Sequence, residues 1–354
     1  MAKSTGMKGK VQTVLGAIEP EELGYTLMHE HILIDAGCYF AMPEEATGRH
    51  YIGLPMAMDM LGQIGRYWGS NRDNTKMYDV ADATREVLEF RYAGGGTIVD
   101  TTSVGLARDP LAMARISRAT GLNIVMGSSY YIDLAHPPDM DKRTEDQIAR
   151  EIIRDVTAGV GDTGIRSGII GEVGQVWPPN KNAEKVLRAS VSAQKETGAP
   201  MTIHPGFNSE STSHIMKLLR KLGADMKHTV MGHLDDIRND RVELKELADS
   251  GLTLEFDTFN NEDSSFGNAG DQVVHIPNDV QRMERVEYLI DAGYEDQVVI
   301  AQDIFLKSQM TKYGGKGYGH IMNNIVPRMR KRGFTETQIR KLLVDNPARV
   351  LAFR

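Results

Sequence analysis

Apolar runs and patches of helical period alternate along almost the whole chain. The first strong run, Thr26 to Asp35, reads Thr-Leu-Met-His-Glu-His-Ile-Leu-Ile-Asp, with mainly apolar residues on both sides of a His-Glu-His centre. Such a run predicts a buried β-strand. A helical pattern over Asp82–Tyr92 follows; Gly94 to Gly96 stop it and open a second strand over Thr97–Thr102. The unit then repeats. A helix over Leu111–Thr120 leads to a strand over Leu122–Met126. A helix over Glu145–Gly159, with Ile148, Ile152, Ile153 and Val156 at helical spacing, leads to a fourth strand over Ser167–Val173. Helices expected over Asn182–Thr197, Ser211–Leu222, Arg241–Ser250 and Asp279–Ala292 alternate with strands over Pro200–His204, Thr229–His233, Leu252–Phe256 and Gln297–Asp303.

Eight strands alternating with helices, with no linker and no break in composition, predict a single domain over residues 1–354, an α/β chain folded as one parallel (β/α)8 TIM barrel. A short N-terminal hairpin over 11–25, turning at Glu19 and Pro20, is expected to precede it. One or two closing helices over Gly319 to Leu351 would end it, with Pro347 restarting the last. Residues 36–74, rich in Gly, Met, Tyr and Pro, predict a long insert loop that serves as a lid or as the interface of a homodimer. An open eight-stranded sheet is the alternative.

Polar residues choose between the two. Side chains two apart on a strand share a face, so His29 and His31 point into one space and Glu30 into another. Two such imidazoles can share a divalent cation or form a hydrogen-bonded core pair. Glu172, His204, His233 and Asp303 stand at or near the C-terminal ends of four further strands. A barrel gathers those ends around one site, whereas an open sheet spreads them along a line. These six residues in strand-end register therefore favour the barrel and a metal centre. Four imidazoles and two carboxylates exceed the needs of one tetrahedral cation and suit two divalent metal ions about 3.5–4 Å apart, bridged by a carboxylate and a hydroxide. With no thiolate among them, Zn is expected first, then Mn, Co or Fe.

Composition narrows the function class. Cys38 is the one cysteine, which excludes an intramolecular disulfide and a cysteine-based zinc site. A net charge of −7 and a pI of about 5.8 argue against nucleic acid and anionic membranes as partners. No apolar run approaches a membrane span, and Met1 to Lys10 is polar and basic without an apolar stretch behind it. A cytoplasmic enzyme with a small-molecule substrate is expected. No glycine fingerprint for phosphate or dinucleotide follows a strand.

The set His29-X-His31, His204, His233 and Asp303 resembles the amidohydrolase superfamily. Within it, Gly24 to His31 and the segment Tyr313 to Ile321 resemble the phosphotriesterase family, on the branch of phosphotriesterase-related proteins and phosphotriesterase-like lactonases. The likeness runs from Val11 to Phe353. It implies that His29, His31 and Asp303 hold the more buried cation, and His204 and His233 the more exposed one. Phosphotriesterases carry a bridging carboxylated lysine on the fourth strand; here that strand reads Ile169-Ile-Gly-Glu-Val-Gly174, so Glu172 is expected to bridge.

Hydrolysis by a metal-bridging hydroxide follows, with Asp303 as the catalytic residue that orients it and passes its proton to the leaving group. The expected substrate is a carboxylic ester or lactone, a sugar-acid lactone being one form, with weak phosphotriesterase activity beside it. Amide hydrolysis on the same site, a mononuclear deaminase and an inactive binding barrel are the alternatives. Substrate contacts are expected from Tyr130 and Tyr131, from Arg282 toward an anionic group, and from the polar stretch Asp257 to Asn278, which holds Asn260, Asn261, Asp263, Ser264, Ser265 and His275. Lys312 and Lys316 flank the loop after the eighth strand and are ambiguous.

Overall fold

Eight parallel strands form two sheets in the computed structural model, which describes residues 6–206, 208–237, 241–261, 266–269, 272–274 and 276–354. Strands β1 (Tyr25–Glu30), β2 (Gly95–Asp100) and β3 (Asn123–Met126) make the first sheet. Strands β4 (Ile170–Gly174), β5 (Met201–His204), β6 (Thr229–Met231), β7 (Thr253–Phe256) and β8 (Val298–Ile300) make the second, side by side in chain order. A helix separates each strand from the next: α1 (Val80–Tyr92), α2 (Pro110–Thr120), α3 (Glu145–Thr157), α4 (Lys181–Thr197), α5 (Ser209–Leu222), α6 (Arg241–Asp249) and α7 (Asp279–Asp291).

The sheets meet along both edges. Ser128 and Gly171 exchange backbone hydrogen bonds beside β3 and β4, at 3.1 and 2.8 Å. Beyond the ends of β8 and β1, Asp303 N–H donates to the His29 carbonyl and His31 N–H to the Ile304 carbonyl, each at 3.1 Å. The arrangement resembles a (β/α)8 barrel split into three strands and five.

The helices form where expected because each has an apolar face and a side chain that satisfies its first N–H groups. Asp79, Asp109, Thr144, Asn180 and Asn278 cap α1, α2, α3, α4 and α7 in this way. Leu27, Ile98, Ile124 and Ile203 pack outward from the strands into the large core that the helices cover. Met28, Val99, Val125, Val230 and Val299 form a second core with Val11 from the N-terminal hairpin and with Val350 and Leu351 from the C-terminal helix.

Three local features differ from the sequence reading. The hairpin pairs Val11–Thr13 with Gly16–Ile18, so it turns at Val14 and Leu15 rather than at Glu19 and Pro20. Thr13 Oγ1 closes that turn by donating to the Gly16 carbonyl at 2.8 Å and accepting from Leu15 N–H at 3.2 Å. The insert is not one irregular loop. It holds short helical turns, and an antiparallel pair, Ile34–Asp35 with Lys76–Met77, closes its base. Finally, Pro347 does not restart a helix but lies inside one that runs on from Glu336. A π-helical turn, Lys341–Asp345, precedes it, as Ile321–Ile325 precedes Pro327. The wider turn accommodates the missing N–H and the ring, which would otherwise strike the carbonyl four residues back.

Candidate metal centre

The C-terminal ends of the strands bring His29, His31, Glu172, His204, His233 and Asp303 together. Two of these strands are irregular where the ligand-type residues begin. Along β1, Leu27 pairs with Ile98 and Glu30 with Asp100, so three residues oppose two, and the register of β4 shifts in the same way between Ile170 and Val173. Bulges of this kind re-aim side chains. His233 and Asp303 reach the site from left-handed backbone, at φ of 52° and 48°.

Glu30 points away, as its place between the histidines predicts, and accepts the N–H groups of Gln302 and Ile304, both at 2.9 Å. It thereby holds the chain on either side of Asp303.

Glu172 stands at the middle of the site. Its Oε1 lies 3.3 Å from His31 Nε2, and its Oε2 lies 3.4 Å from His29 Nε2, 3.0 Å from His204 Nδ1 and 3.4 Å from His233 Nε2. Asp303 Oδ1 is 3.3 Å from His31 Nε2 and 3.8 Å from His29 Nε2. Three donor triads result among the described residues: His29 with His31 and Asp303, Glu172 with His204 and His233, and His29 with His233 and Asp257. The set is consistent with a binuclear divalent-metal centre bridged by Glu172. Two features fit cations rather than a hydrogen-bonded core. Among the described residues His29 Nε2 is buried without a hydrogen-bond partner, and His204 Nδ1 and His233 Nε2 aim at each other 2.8 Å apart. Buried polar atoms otherwise find partners.

The histidines are oriented from behind by residues that the sequence reading did not single out. His29 Nδ1 lies 3.2 Å from Glu255 Oε2 and 3.4 Å from Asp257 Oδ2, and His233 Nδ1 lies 2.9 Å from Asp257 Oδ1. His31 Nδ1 bonds Thr102 Oγ1 at 2.9 Å. A carboxylate on Nδ1 fixes the ring so that Nε2 faces a metal and raises its basicity. The available signal was a carboxylate inside an apolar strand, Glu255 between Leu254 and Phe256.

Burial alone would lower the His31 imidazole, but hydrogen bonds to Asp303 and Glu172 outweigh it and lift His31 to about 9. Burial would also raise Glu172, but the charge of His29 and the hydrogen bond from His204 hold it well below the usual carboxylate range. Glu255 is pushed up to about 7 by burial, against the pull of His29. The cluster therefore favours protons on His29, His31 and His233, where cations would take over the positive charge, while burial and the charge of His233 lower His204.

The pocket above this cluster has an apolar wall of Ile34, Ala36, Leu106 and Phe305, and Thr258 and Asn261 also line it. The insert contributes Tyr39, whose hydroxyl bonds the Tyr131 hydroxyl at 2.6 Å; Tyr131 in turn lies 3.3 Å from His204 Nδ1. Tyr131 thus stands where a substrate contact was expected. Tyr130 does not line the pocket, and its hydroxyl accepts from Arg143 at 2.5 Å on the far side of the loop. Arg282 is also absent from the wall. It is fully buried, bonded to Asp235 at 2.9 Å and Asp279 at 3.1 Å, and braces Thr258 and the Asn261 carbonyl from behind. A guanidinium that deep needs fixed partners, and two carboxylates supply them. Lys312 is tied to Asp82, while Asn260 and Lys316 line an adjoining cavity. Asp263, Ser264, Ser265 and His275 lie outside the described residues.

No helix among the described residues is long and apolar enough to cross a membrane. The chain matches the phosphotriesterase family over residues 9–351. It is 42% identical over 352 residues to the N-acetyltaurine hydrolase of Salmo salar, covering 99% of this chain and 100% of that one. It is 37% identical over 354 residues to the N-acetyltaurine hydrolase of Homo sapiens, again covering 99% and 100%. Among solved structures, a resiniferatoxin-binding protein from Rhodobacter sphaeroides superposes with a TM-score of 0.93 at 34% identity, over 97% of this chain and 95% of that one. A lactonase from Listeria monocytogenes superposes with a TM-score of 0.77 at 25% identity, over 98% and 99%.

Proposed function

This chain belongs to the phosphotriesterase family, and from that premise we propose that it is a metal-dependent amide hydrolase that cleaves small N-acyl amines carrying an anionic group, N-acetyltaurine being the model substrate. The observation that carries the amide over the ester is the full-length likeness to N-acetyltaurine hydrolases, 42% with the fish protein and 37% with the human one. The ester or lactone expected from the sequence becomes the second reading, supported by the 25% identity with the Listeria lactonase. The proposal includes a single closed barrel over residues 1–354 and zinc as the first metal to test.

His29, His31 and Asp303 would hold one cation and His204 and His233 the other, with Glu172 between them. When bound, a pair of divalent cations supplies a nucleophilic hydroxide near neutral pH and polarises the scissile carbonyl. The protein's own groups do the rest. Asp303 is the one candidate ligand with its side chain partly open, at 13% exposure, and it takes the nucleophile's proton and hands it to the leaving amine. The Tyr131 hydroxyl, held by Tyr39, donates to the carbonyl oxygen as charge grows there. Ile34, Ala36 and Leu106 accept a small acyl group and keep water from its far side.

The test is a panel of N-acetyltaurine, aliphatic lactones and a phosphotriester offered to zinc-reconstituted protein, with taurine release followed by amine derivatisation. Taurine release faster than lactone opening is the expected result. Lactone turnover with no amine released would move the protein to the second reading.

A further inference from the structure

The loop after β8 carries Asp303 into the site on left-handed backbone, at a φ of 48°. A residue with a Cβ keeps that conformation only where its surroundings impose it. Here they impose it peptide by peptide, since every backbone N–H from Gln302 to Ser308 has a fixed acceptor. Glu30 takes those of Gln302 and Ile304, and the His29 carbonyl takes that of Asp303. Gln309 Oε1 accepts from both Phe305 and Leu306, each at 2.9 Å. Asn74 of the insert takes the last two, its carbonyl from Lys307 at 2.9 Å and its side-chain Oδ1 from Ser308 at 2.8 Å.

Asn74 and Gln309 do not line the metal pocket, yet both are tied to residues that do. Gln309 Nε2 donates to the Asp303 carbonyl at 3.3 Å, so one side chain links Asp303 to Phe305, which forms part of the pocket wall. Asn74 is fully buried and is itself held from the insert side. Its N–H donates to Asn71 Oδ1 at 2.7 Å and its Nδ2 to the Trp68 carbonyl at 3.1 Å. Asn71, also buried, donates to the carbonyls of Tyr51 and Leu54 at 2.6 and 2.9 Å. Beside them, Asp73 pairs with Lys307 at 2.7 Å and accepts the Met56 N–H at 2.8 Å. The insert and the Asp303 loop are thus joined by bonds that converge on Asn74.

We infer that Asn74 and Gln309 are positioning residues that fix the direction of the Asp303 carboxylate, and that through Asn74 the insert serves the chemistry as a fixed wall. A lid would have to break these bonds each time it opened. The inference rests on Asp303 acting as ligand and proton carrier, and not on which bond is hydrolysed. A carboxylate with both tasks tolerates little displacement, because a shift of about 1 Å is enough to spoil a reacting geometry.

The experiment measures two quantities on Asn74→Ala, Gln309→Ala and, as the reference, Asp303→Asn. Affinity for zinc is read by competition with a chromogenic chelator and needs no substrate. In parallel, kcat and KM are measured on N-acetyltaurine and on an aliphatic lactone. Both alanine variants are expected to weaken one of the two zinc affinities and to lower kcat on whichever substrate the wild type turns over, each by about 10–100-fold, with KM changing less. Asn74→Asp, which keeps the acceptor for the Ser308 N–H, is expected to recover most of both. Working well below the Tm of every variant keeps loss of fold out of either number. Wild-type zinc affinity and kcat in both alanine variants, beside an impaired Asp303→Asn, would overturn the inference alone. A rise in KM with nothing else changed would also overturn it, because the two residues would then shape only the wall at Phe305. Wild-type turnover and zinc affinity in Asp303→Asn would remove the role of Asp303 and the inference with it.

Discussion

Asp303 combines three roles in one residue: a carboxylate beside two imidazoles, a left-handed backbone, and a side chain that reaches the pocket. Glu30 maintains that geometry through the peptide N–H groups on either side of it. Asp303→Asn keeps the shape but would weaken both the proposed metal ligand and the proposed proton carrier. Turnover is expected to fall by about 10²–10⁴-fold with little change in Tm; activity near wild type would remove Asp303 from the chemistry. Glu255 acts at one remove, through His29. Glu255→Gln is expected to weaken metal affinity by about 10–100-fold, read by competition with a chromogenic chelator, while kcat at saturating metal changes less. The adjacent tyrosines show how far neighbours can diverge. Tyr131 faces His204, but Tyr130 faces Arg143, and only Tyr131→Phe is expected to slow turnover.

The element that ties the mouth of the site together is α7. Its first residue, Asp279, accepts from His320 Nε2 at 2.8 Å, Asn260 N–H at 3.0 Å and Arg282 at 3.1 Å. Burial would raise this carboxyl, yet the hydrogen bond from His320 and the N–H of Asn260 outweigh it and hold it well below the usual range. The sign of the pH dependence follows. A carboxyl whose folded pKa lies under its unfolded value of about 3.9 contributes its stability in full above that value and loses it as pH falls toward the folded pKa. Asp279→Asn is therefore expected to destabilise the protein by about 3 kcal/mol at pH 7, with the gap to wild type narrowing progressively below pH about 4 in urea denaturation. A gap independent of pH would mean that the charge of Asp279 contributes nothing.

For the whole molecule, the buried Glu172, Glu255 and Asp257 share one space with four imidazoles. Cations bound there stabilise the folded state by mass action. Purified protein is expected to carry close to two divalent ions per chain by plasma mass spectrometry. Exhaustive dialysis against a chelator is expected to abolish hydrolysis and lower Tm, and added zinc or manganese to reverse both. One ion per chain at full activity would overturn the binuclear assignment.

The alternation of apolar strands and amphipathic helices, the eight-strand count and the six ligand-type residues were all legible in the sequence, because each is written in local periodicity or in residue type at a strand end. His29, His31, Glu172, His204, His233 and Asp303 could be named without a structure for that reason. Tertiary packing decided what local pattern cannot encode. Whether a strand-end tyrosine turns to the pocket or to Arg143, and whether Arg282 faces a substrate or a pair of buried carboxylates, depends on partners distant in the chain, such as Asp235, 47 residues away. The same is true of Glu255, which comes to lie against His29 across 226 residues, and of Tyr39, which the insert delivers to Tyr131 across 92. Periodicity assigns a residue to a face of its element, but only the closing of distant elements on one another determines what that face meets.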